Sequence, residues 1–239
     1  MSSSGGLAGR RVLVTGGSRG IGLATARVLA EAGAELLLVA RDGERLRNSA
    51  QLCGGRYFAA DVSSEREVEK LAAAVRTDWG GAPDVIVNSA GAFALAALSE
   101  TTLESFDQHI AVNLRAVFLL IRSWLPEMLQ RGSGHIVTIG SIAGRKAFPA
   151  NGAYSASKFG VRGLHEVLDV ELRGTGVRAT LIEPAATATE LWAPIDRAIH
   201  TDLPPAEAML EPGAVAQAVL YAVTQPWEVA VPVVGVERS

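Results

Sequence analysis

Short runs of apolar and β-branched residues alternate with longer segments of helical periodicity along almost the whole chain. The runs are RVLVT (11–15), ELLLVA (35–40), RYFAA (56–60), DVIVNSA (84–90), GHIVTIGS (134–141), VRATLIEP (177–184) and VAVPVV (229–234). Apolar strands of this length, separated by helices, indicate a parallel sheet that helices cover on both faces. The sequence therefore predicts an α/β fold with a doubly wound parallel sheet of about seven strands.

The helical segments between these runs lie at about 21–33, 43–52, 64–79, 102–130, 153–173 and 212–224, and Pro126 predicts a bend in the fourth. One further stretch, at about 186–211, follows a strand end and shows no regular pattern. A long loop in this position often forms a lid over a ligand. We therefore expect one domain over residues 1–239 with a substrate loop. Its Trp192 either lines the substrate pocket, packs on the fold or forms a subunit contact.

Composition and charge exclude several classes of protein. The chain has 239 residues, of which 49% are hydrophobic and 20% charged, and its net charge of −3 offers no basic surface for nucleic acid. The start, MSSSGGLAGR, lacks the apolar segment of a signal peptide, and no run is long enough to span a membrane. The single cysteine, Cys53, excludes an intramolecular disulfide and fits a reducing compartment, so we expect a cytoplasmic protein.

A metal site is not expected, because no metal-binding spacing relates the four histidines, His109, His135, His165 and His200.

Glycines concentrate between the first strand and the first helix, in VLVTGGSRGIGLA. Gly16, Gly20 and Gly22 follow the spacing T-G-x-x-x-G-x-G. Such glycines let the backbone approach a phosphate, and the helix that follows offers unpaired N–H groups and the positive end of its dipole. The alternative is an ordinary glycine-rich turn. Its position at the first strand-to-helix junction favours phosphate binding.

A tyrosine and a lysine are four residues apart in NGAYSASKFG. If this segment is helical, Tyr154 and Lys158 lie one turn apart on the same face and can share one site. Taken alone, the pair is equally compatible with a partly buried aromatic residue beside a solvated lysine.

Six motifs in order make the chain resemble the short-chain dehydrogenases/reductases, in their shorter single-domain branch. They are the Thr15–Gly22 loop, Asp61 after the third strand, Asn88-Ser89-Ala90-Gly91, Asn113 in AVNLRAVF, Ser141 thirteen residues before Tyr154-x-x-x-Lys158, and Pro184 followed by Thr189. The chain departs from the family pattern at Ser89, which replaces an asparagine, and at Ala185, which replaces a glycine. Neither change removes a catalytic group.

The resemblance implies a Rossmann-type fold, a nicotinamide cofactor and a defined set of site residues. The implied catalytic residues are Asn113, Ser141, Tyr154 and Lys158. The implied cofactor-binding residues are Gly16, Ser18, Arg19, Gly20, Ile21, Gly22, Arg41, Asp61, Val62, Asn88, Ala90, Gly91, Tyr154, Lys158, Pro184, Thr187 and Thr189. Asp61, expected beside the adenine, could also cap the helix that follows it.

The residue types suit proton transfer to a carbonyl group. A free tyrosine has a pKa of about 10, and a lysine ammonium one turn away is expected to lower it. Tyr154 could then give a proton to a carbonyl oxygen and take it back in the reverse direction. Ser141 could hydrogen-bond the same oxygen, and Lys158 could bind the nicotinamide ribose. By resemblance, Asn113 would hold a water in the proton relay.

The end of the second strand bears on which nicotinamide is bound. An acidic residue there would bind the ribose 2′-hydroxyl of NAD(H), but the position is Ala40, followed by Arg41, and Asp42 comes one place too late. Arg41 and Arg19 suit a 2′-phosphate, because guanidinium pairs with phosphate in a forked geometry. The alternative is that both arginines are solvated. We expect NADP(H) rather than NAD(H).

The leading hypothesis is an NADP(H)-dependent oxidoreductase that interconverts a small ketone or aldehyde and an alcohol. The alternatives are a non-catalytic NADP(H)-sensing protein, and a sugar-nucleotide epimerase or dehydratase, which usually adds a larger C-terminal region. The mostly apolar loop favours a neutral or apolar substrate. The resemblance also implies a homotetramer or homodimer, in which the core or the interface would contain Val161, Leu164, Val167 and Leu168.

Overall fold

Parallel strands form the centre of the molecule. The computed structural model describes residues 6–196 and 203–239, and in these residues seven strands form one sheet in the order β3-β2-β1-β4-β5-β6-β7. The strands are β1 (Arg11–Thr15), β2 (Glu35–Ala40), β3 (Arg56–Ala59), β4 (Val85–Asn88), β5 (Gly134–Ile139), β6 (Val177–Pro184) and β7 (Val233–Val236). Every neighbouring pair is parallel. The predicted doubly wound α/β fold is confirmed.

Helices cover both faces of the sheet. Those of the described residues are α1 (Gly20–Glu31), α2 (Gly43–Cys53), α3 (Glu65–Trp79), α4 (Leu103–His109), α5 (Ala116–Arg131), α6 (Gly152–Glu171) and α7 (Pro212–Thr224). None of these helices has the combination of length and apolar character that crossing a bilayer requires.

The strands are apolar on both sides because each face has its own core. Leu13 of β1 packs with Ile86 and Ile136 in the cluster that includes Trp124 of α5. Val14, the next residue along β1, belongs to the opposite cluster, which contains the apolar sides of α1 and α7. A strand buried on both faces has no polar alternation, and this explains the continuous apolar runs.

The last strand begins later than predicted. The run VAVPVV suggests residues 229–234, but β7 covers Val233–Val236. Val229 is instead in a turn, where its N–H donates to the Pro226 carbonyl at 2.9 Å. Pro232 has no N–H to give to a ladder, so regular pairing starts after it.

The long helical region is interrupted at a different place from the one predicted. α5 continues through Pro126, whereas residues Ile110–Arg115, between α4 and α5, form a π-helical turn. This wider turn contains Asn113, which is buried. Single π turns of this kind are frequent at functional sites.

A buried carboxylate joins the end of β6 to two neighbouring segments. Glu183 is 2% exposed, and one of its oxygens accepts a hydrogen bond from Arg162 of α6 at 2.7 Å. The other oxygen lies 3.3 Å from Nε of Arg145, in the segment between β5 and α6. Arg145 also pairs with Glu237 after β7. The network thus holds together the segments that border the carboxyl ends of β5 and β6.

We expect Glu183→Gln to lower the free energy of unfolding by about 2 kcal/mol, less than for a fully buried pair because both arginines remain partly hydrated. Urea unfolding measures this change. Glu166→Gln is the matched control, because Glu166 is the exposed partner of the same Arg162 and its loss should cost less than about 0.5 kcal/mol. Equal small losses in both variants would contradict a stabilising role for the buried network.

Candidate active site

One cleft of about 640 Å³ gathers most of the predicted site residues at the carboxyl ends of the strands. It lies where the strand order reverses between β1 and β4, the usual ligand position in open α/β sheets. The predicted residues that line it are Gly16, Ser18, Arg19, Gly20, Ile21, Gly22, Arg41, Asp61, Val62, Ala90, Gly91, Ser141, Tyr154, Lys158, Pro184, Thr187 and Thr189. The two others, Asn88 and Asn113, are buried behind its wall.

The glycine turn comes very close to neighbouring backbone. A Cβ on Gly16, whose φ is +67°, would lie 2.8 Å from the Ser89 carbonyl oxygen, and one on Gly22 would lie 2.2 Å from the Gly16 carbonyl oxygen. The first turn of α1 has no acidic residue, and Arg19 at its N-cap forms no side-chain capping bond. The N–H groups at this helix start are therefore open to an anion.

Thr15 joins the ends of β1 and β4. Its Oγ1 accepts hydrogen bonds from the backbone N–H groups of Ser89 and Ala90 at 3.1 and 3.2 Å. Asn88 in turn donates from Nδ2 to Oγ1 of Thr138 in β5, at 3.3 Å. Both bonds to Thr15 come from backbone groups, so serine at position 89 leaves this connection intact.

Asp61 does not cap α3, in contrast to one of its two predicted roles. Ser64 is the N-cap residue, and its Oγ accepts from the N–H of Glu67. Asp61 instead accepts from the N–H and the hydroxyl of Ser63 at 2.9 and 2.7 Å. These bonds orient the Asp61 carboxylate at the edge of the cleft, and its role beside adenine stays a prediction.

Tyr154 and Lys158 lie one turn apart on α6, as their spacing predicts. Ser141 lies close enough to the Tyr154 phenol to lower its pKa. Nζ of Lys158 lies 5.7 Å from the Tyr154 ring centroid and donates to the Ile139 carbonyl at 2.9 Å. Three of the four predicted catalytic residues therefore meet at one point of the cleft.

The expected lowering of the Tyr154 pKa by Lys158 is wrong. Burial raises the pKa of Tyr154, and the hydrogen bond from Ser141 offsets only part of that rise. Burial also lowers the pKa of Lys158 to about 8. The reason is that both charged forms lose hydration, while the ammonium group bonds to a carbonyl oxygen rather than to the phenol.

Both polar atoms of the Asn113 side-chain amide form hydrogen bonds. Its Oδ1 accepts from the Ala92 N–H at 2.7 Å, and its Nδ2 donates to the Ala92 carbonyl at 3.0 Å and to Ser157 Oγ at 2.9 Å. The π turn thus positions the segment after β4 against α6. The predicted water-holding role of Asn113 is a separate property and stays a prediction.

Three aromatic rings form one wall of the cleft. The Phe93 ring centroid lies 4.8 Å from that of Tyr154 and 4.9 Å from that of Trp192. Nε1 of Trp192 donates to the Thr187 carbonyl at 3.0 Å. Trp192 therefore lines the pocket, which is one of the three locations that the sequence allowed. His200 and the rest of 197–202, inside the predicted substrate loop, lie outside the described residues.

Sequence reasoning missed several residues of this cleft. They are Phe93, Arg45, Lys146, Phe148, Glu190 and Leu191. Phe93 follows the Asn88–Gly91 motif by two residues, and Arg45 follows Arg41 by one helical turn. These two positions could have been found from the motifs, whereas the others belong to variable segments.

Ala185 occupies its turn without strain. Among the described residues, the only non-glycine residue with positive φ is Ala150, so position 185 does not require a glycine. The Ala185 N–H donates to the Val236 carbonyl at 2.9 Å.

No cluster of three or more histidine, cysteine, aspartate or glutamate residues suited to a metal occurs in the described parts of the chain.

The lowered pKa of Lys158 predicts a pH-dependent stability. The unfolded chain keeps this proton up to a pKa of about 10.5, so between about pH 8 and 10.5 the unfolded state binds more protons than the folded state. Stability therefore rises with pH across that window. The difference in free energy of unfolding between wild type and Lys158→Met should grow by about 1 kcal/mol in favour of wild type from pH 7.5 to 9, measured by urea unfolding. Lys146→Met, at an exposed lysine of the same cleft, is the control, and its stability should follow pH as that of wild type does. A difference between wild type and Lys158→Met that does not change with pH would contradict the lowered pKa.

Comparison with known proteins identifies the family. The family model described as short chain dehydrogenase matches residues 10–200. The chain is 37% identical to part of glycine betaine reductase ATRR of Emericella nidulans, covering 94% of this chain but only 18% of that protein. It is 34% identical to an uncharacterised oxidoreductase of Staphylococcus aureus, over 90% of both chains.

A similar solved structure is that of a metagenomic short-chain oxidoreductase in complex with NADP. The two chains are 33% identical, cover 98% of each other and have a TM-score of 0.84. The match of the family model over most of the chain, together with these relatives, shows that this protein belongs to the short-chain dehydrogenase/reductase family of oxidoreductases.

Proposed function

We propose that the chain is an NADP(H)-dependent oxidoreductase that interconverts a ketone or aldehyde and an alcohol, with Tyr154 as general acid and base. The observation that carries this proposal is the meeting of Ser141, Tyr154 and Lys158 in one cleft, which also contains an open helix N-terminus. Residues 1–239 would act as one domain on a small-molecule substrate, in the cytoplasm.

The cleft would hold a dinucleotide along its length. The close backbone at Gly16 and Gly22 and the start of α1 would hold the pyrophosphate. Asp61 and Val62 would border the adenine, and Lys158 would bind the nicotinamide ribose. The remaining predicted contacts to the dinucleotide would come from Ser18, Gly20, Ile21, Asn88, Ala90, Gly91, Pro184, Thr187 and Thr189. When bound, the nicotinamide ring supplies or accepts the hydride.

The raised pKa of Tyr154 keeps the phenol protonated at neutral pH. A protonated phenol is the form that donates to a carbonyl oxygen as that oxygen gains negative charge. Ser141 lines the cleft with Tyr154 and would hold the same substrate oxygen. Lys158 would favour the phenolate for the reverse direction once its ammonium group faces the phenol. Asn113 would contribute by holding the water of the relay.

The end of β2 supports NADP(H). Ala40 ends the strand, and the exposed Arg41 lines the cleft beside Arg19. The carboxylate of Asp42 is engaged as the N-cap of α2, where Oδ1 accepts from the Arg45 N–H at 3.0 Å. Asp42 also lines the cleft, and this bond supports a capping role for it rather than selection of NAD(H). The similar metagenomic oxidoreductase is also described with NADP.

The walls of the substrate end support a neutral or apolar carbonyl compound. Phe93, Phe148, Leu191 and Trp192 line it, and Nζ of Lys146 lies 5.6 Å from the Phe148 ring centroid. Apolar walls with few polar groups bind the body of a substrate and leave its orientation to the reacting group.

A homodimer or homotetramer is part of the same proposal. Val161 and Leu168 of α6 are buried in the core and Leu164 packs against it, whereas Val167 is 56% exposed. Val170 and Phe159 of the same helix are also exposed, at 58% and 48%. This apolar surface on α6 supports contact with a second copy of the chain.

We expect Tyr154→Phe to bind NADPH as wild type does and to lose turnover by at least about a hundredfold, since only the proton donor is removed. Steady-state turnover on a panel of ketones and aldehydes, with a parallel NADPH titration, measures both properties. The phenylalanine ring keeps the packing on Phe93, so the variant should also unfold at the wild-type temperature. Turnover close to wild type would remove Tyr154 from the proton transfer.

We expect Arg41→Ala to weaken NADPH binding by about tenfold and NADH binding by less than twofold, because only NADPH carries the 2′-phosphate. Fluorescence titration with each cofactor measures the two affinities. Arg47→Ala is the control on the adjoining helix α2, since Arg47 bonds to the Tyr57 hydroxyl and does not line the cleft. Equal losses for both cofactors would place Arg41 outside the 2′-phosphate site.

A further inference from the structure

A carboxylate of the substrate loop lies between two arginines of the cleft. Glu190 begins the short 3-10 helical turn Glu190–Trp192. One of its oxygens lies 3.4 Å from Nη1 of Arg19, and the other accepts a hydrogen bond from Nη2 of Arg45. All three side chains line the cleft and are partly exposed, between 41% and 48%.

Arg45 brings a further guanidinium to the end of β2. It is in the first turn of α2, and its N–H is held by the capping residue Asp42. Arg19, Arg41 and Arg45 therefore approach the same end of the cleft from the glycine turn, from the end of β2 and from α2. The residue that already pairs with two of them is Glu190.

The carboxylate is ionised at neutral pH. Hydrogen bonding and charge from Arg45, and then from Arg19, hold the pKa of Glu190 below its usual range. A carboxylate and a phosphate offer a guanidinium the same forked arrangement of oxygens. The two anions therefore compete for the same donors.

We propose that Glu190 is an internal competitor for the arginines that receive the adenosine 2′-phosphate, and that Arg45 is a further residue that determines cofactor specificity. This rests on the proposed NADP(H) function. NADP(H) brings a phosphate of about two negative charges and displaces the Glu190 carboxylate from Arg19 and Arg45. NADH brings only a hydroxyl group at this position and leaves the Glu190 contacts in place. Glu190 thus reduces the advantage of NADP(H) over NAD(H).

The test compares Glu190→Gln with wild type in titrations with NADPH, NADH, adenosine 2′,5′-bisphosphate and AMP. The variant keeps the size of the side chain and removes its charge. We expect NADPH and the bisphosphate to bind about three- to tenfold more tightly, a modest gain because the pairs are partly exposed. NADH and AMP should change by less than twofold. The gain should shrink as salt concentration rises.

Glu207→Gln is the matched control for this variant. Glu207 is an exposed glutamate of the same substrate loop, in the turn Ala206–Ala208, and does not line the cleft. The same change of charge there should leave all four affinities at wild-type values.

Arg45→Gln tests the second half of the proposal. It should weaken NADPH binding several-fold and leave NADH binding unchanged, while Arg47→Gln, two residues away on α2, should change neither. In the Arg45→Gln background, Glu190→Gln should bring a smaller gain, because one of the two partners of the carboxylate is already gone.

The outcomes separate the two proposals. If wild type binds NADPH and NADH equally, the NADP(H) function itself is overturned. If wild type prefers NADPH but Glu190→Gln leaves its affinity unchanged, or tightens NADPH and NADH alike, the competition by Glu190 is overturned and the proposed function stands. Because the bisphosphate and AMP lack nicotinamide, their titrations report on the arginine end of the cleft alone.

Discussion

The hydroxyl group of Thr15 fixes the point from which the rest of the site is built. Its oxygen accepts hydrogen bonds from two backbone N–H groups of the segment after β4. These bonds hold together the ends of β1 and β4, between which the strand order reverses. The glycine turn leaves β1 on one side of this contact, and the wall with Phe93 leaves β4 on the other. The distance between the proposed phosphate and substrate ends of the cleft therefore depends on these two neutral hydrogen bonds to Thr15.

Burial controls the protonation of the central residues. Tyr154 and Lys158 are placed where both lose hydration. Ser141 lowers the pKa of the phenol, and the ammonium group donates to the Ile139 carbonyl, but neither contact offsets the loss of water around a full charge. At neutral pH the phenol is therefore uncharged, whereas Lys158, with a pKa of about 8, still carries its positive charge.

The fold and the order of the site residues could be predicted from local patterns. A strand buried on both faces shows its apolar run whatever its neighbours are, and the glycine turn shows its spacing in eight residues. The resemblance then brought Ser141, Tyr154 and Lys158 together, and the structure places them at one point. Such features depend on short stretches of chain, so a sequence read alone contains them.

The features that could not be predicted arise between distant segments. The contact of Arg45 in α2 with Glu190, in the segment after β6, joins residues 145 positions apart. The irregular turn at Asn113 is found opposite Ala92 and Ser157, which its amide contacts, whereas the sequence offered only Pro126 as a cause of irregularity. The direction of the Tyr154 pKa shift depends on how deeply α6 is buried, and spacing along one helix does not contain that depth.

Phe93 has a consequence for redesign of the substrate range. Its ring touches both Tyr154 and Trp192, so it is at once part of the pocket wall and a support for the phenol. A smaller side chain at this position would enlarge the pocket and also remove a contact that holds the Tyr154 phenol in place. Phe148 and Leu191 line the same cleft, and no ring contact joins them to Tyr154 within the described residues. Substitutions at these two positions would change which substrates bind without disturbing Tyr154, whereas substitutions at Phe93 would change both substrate binding and the position of Tyr154.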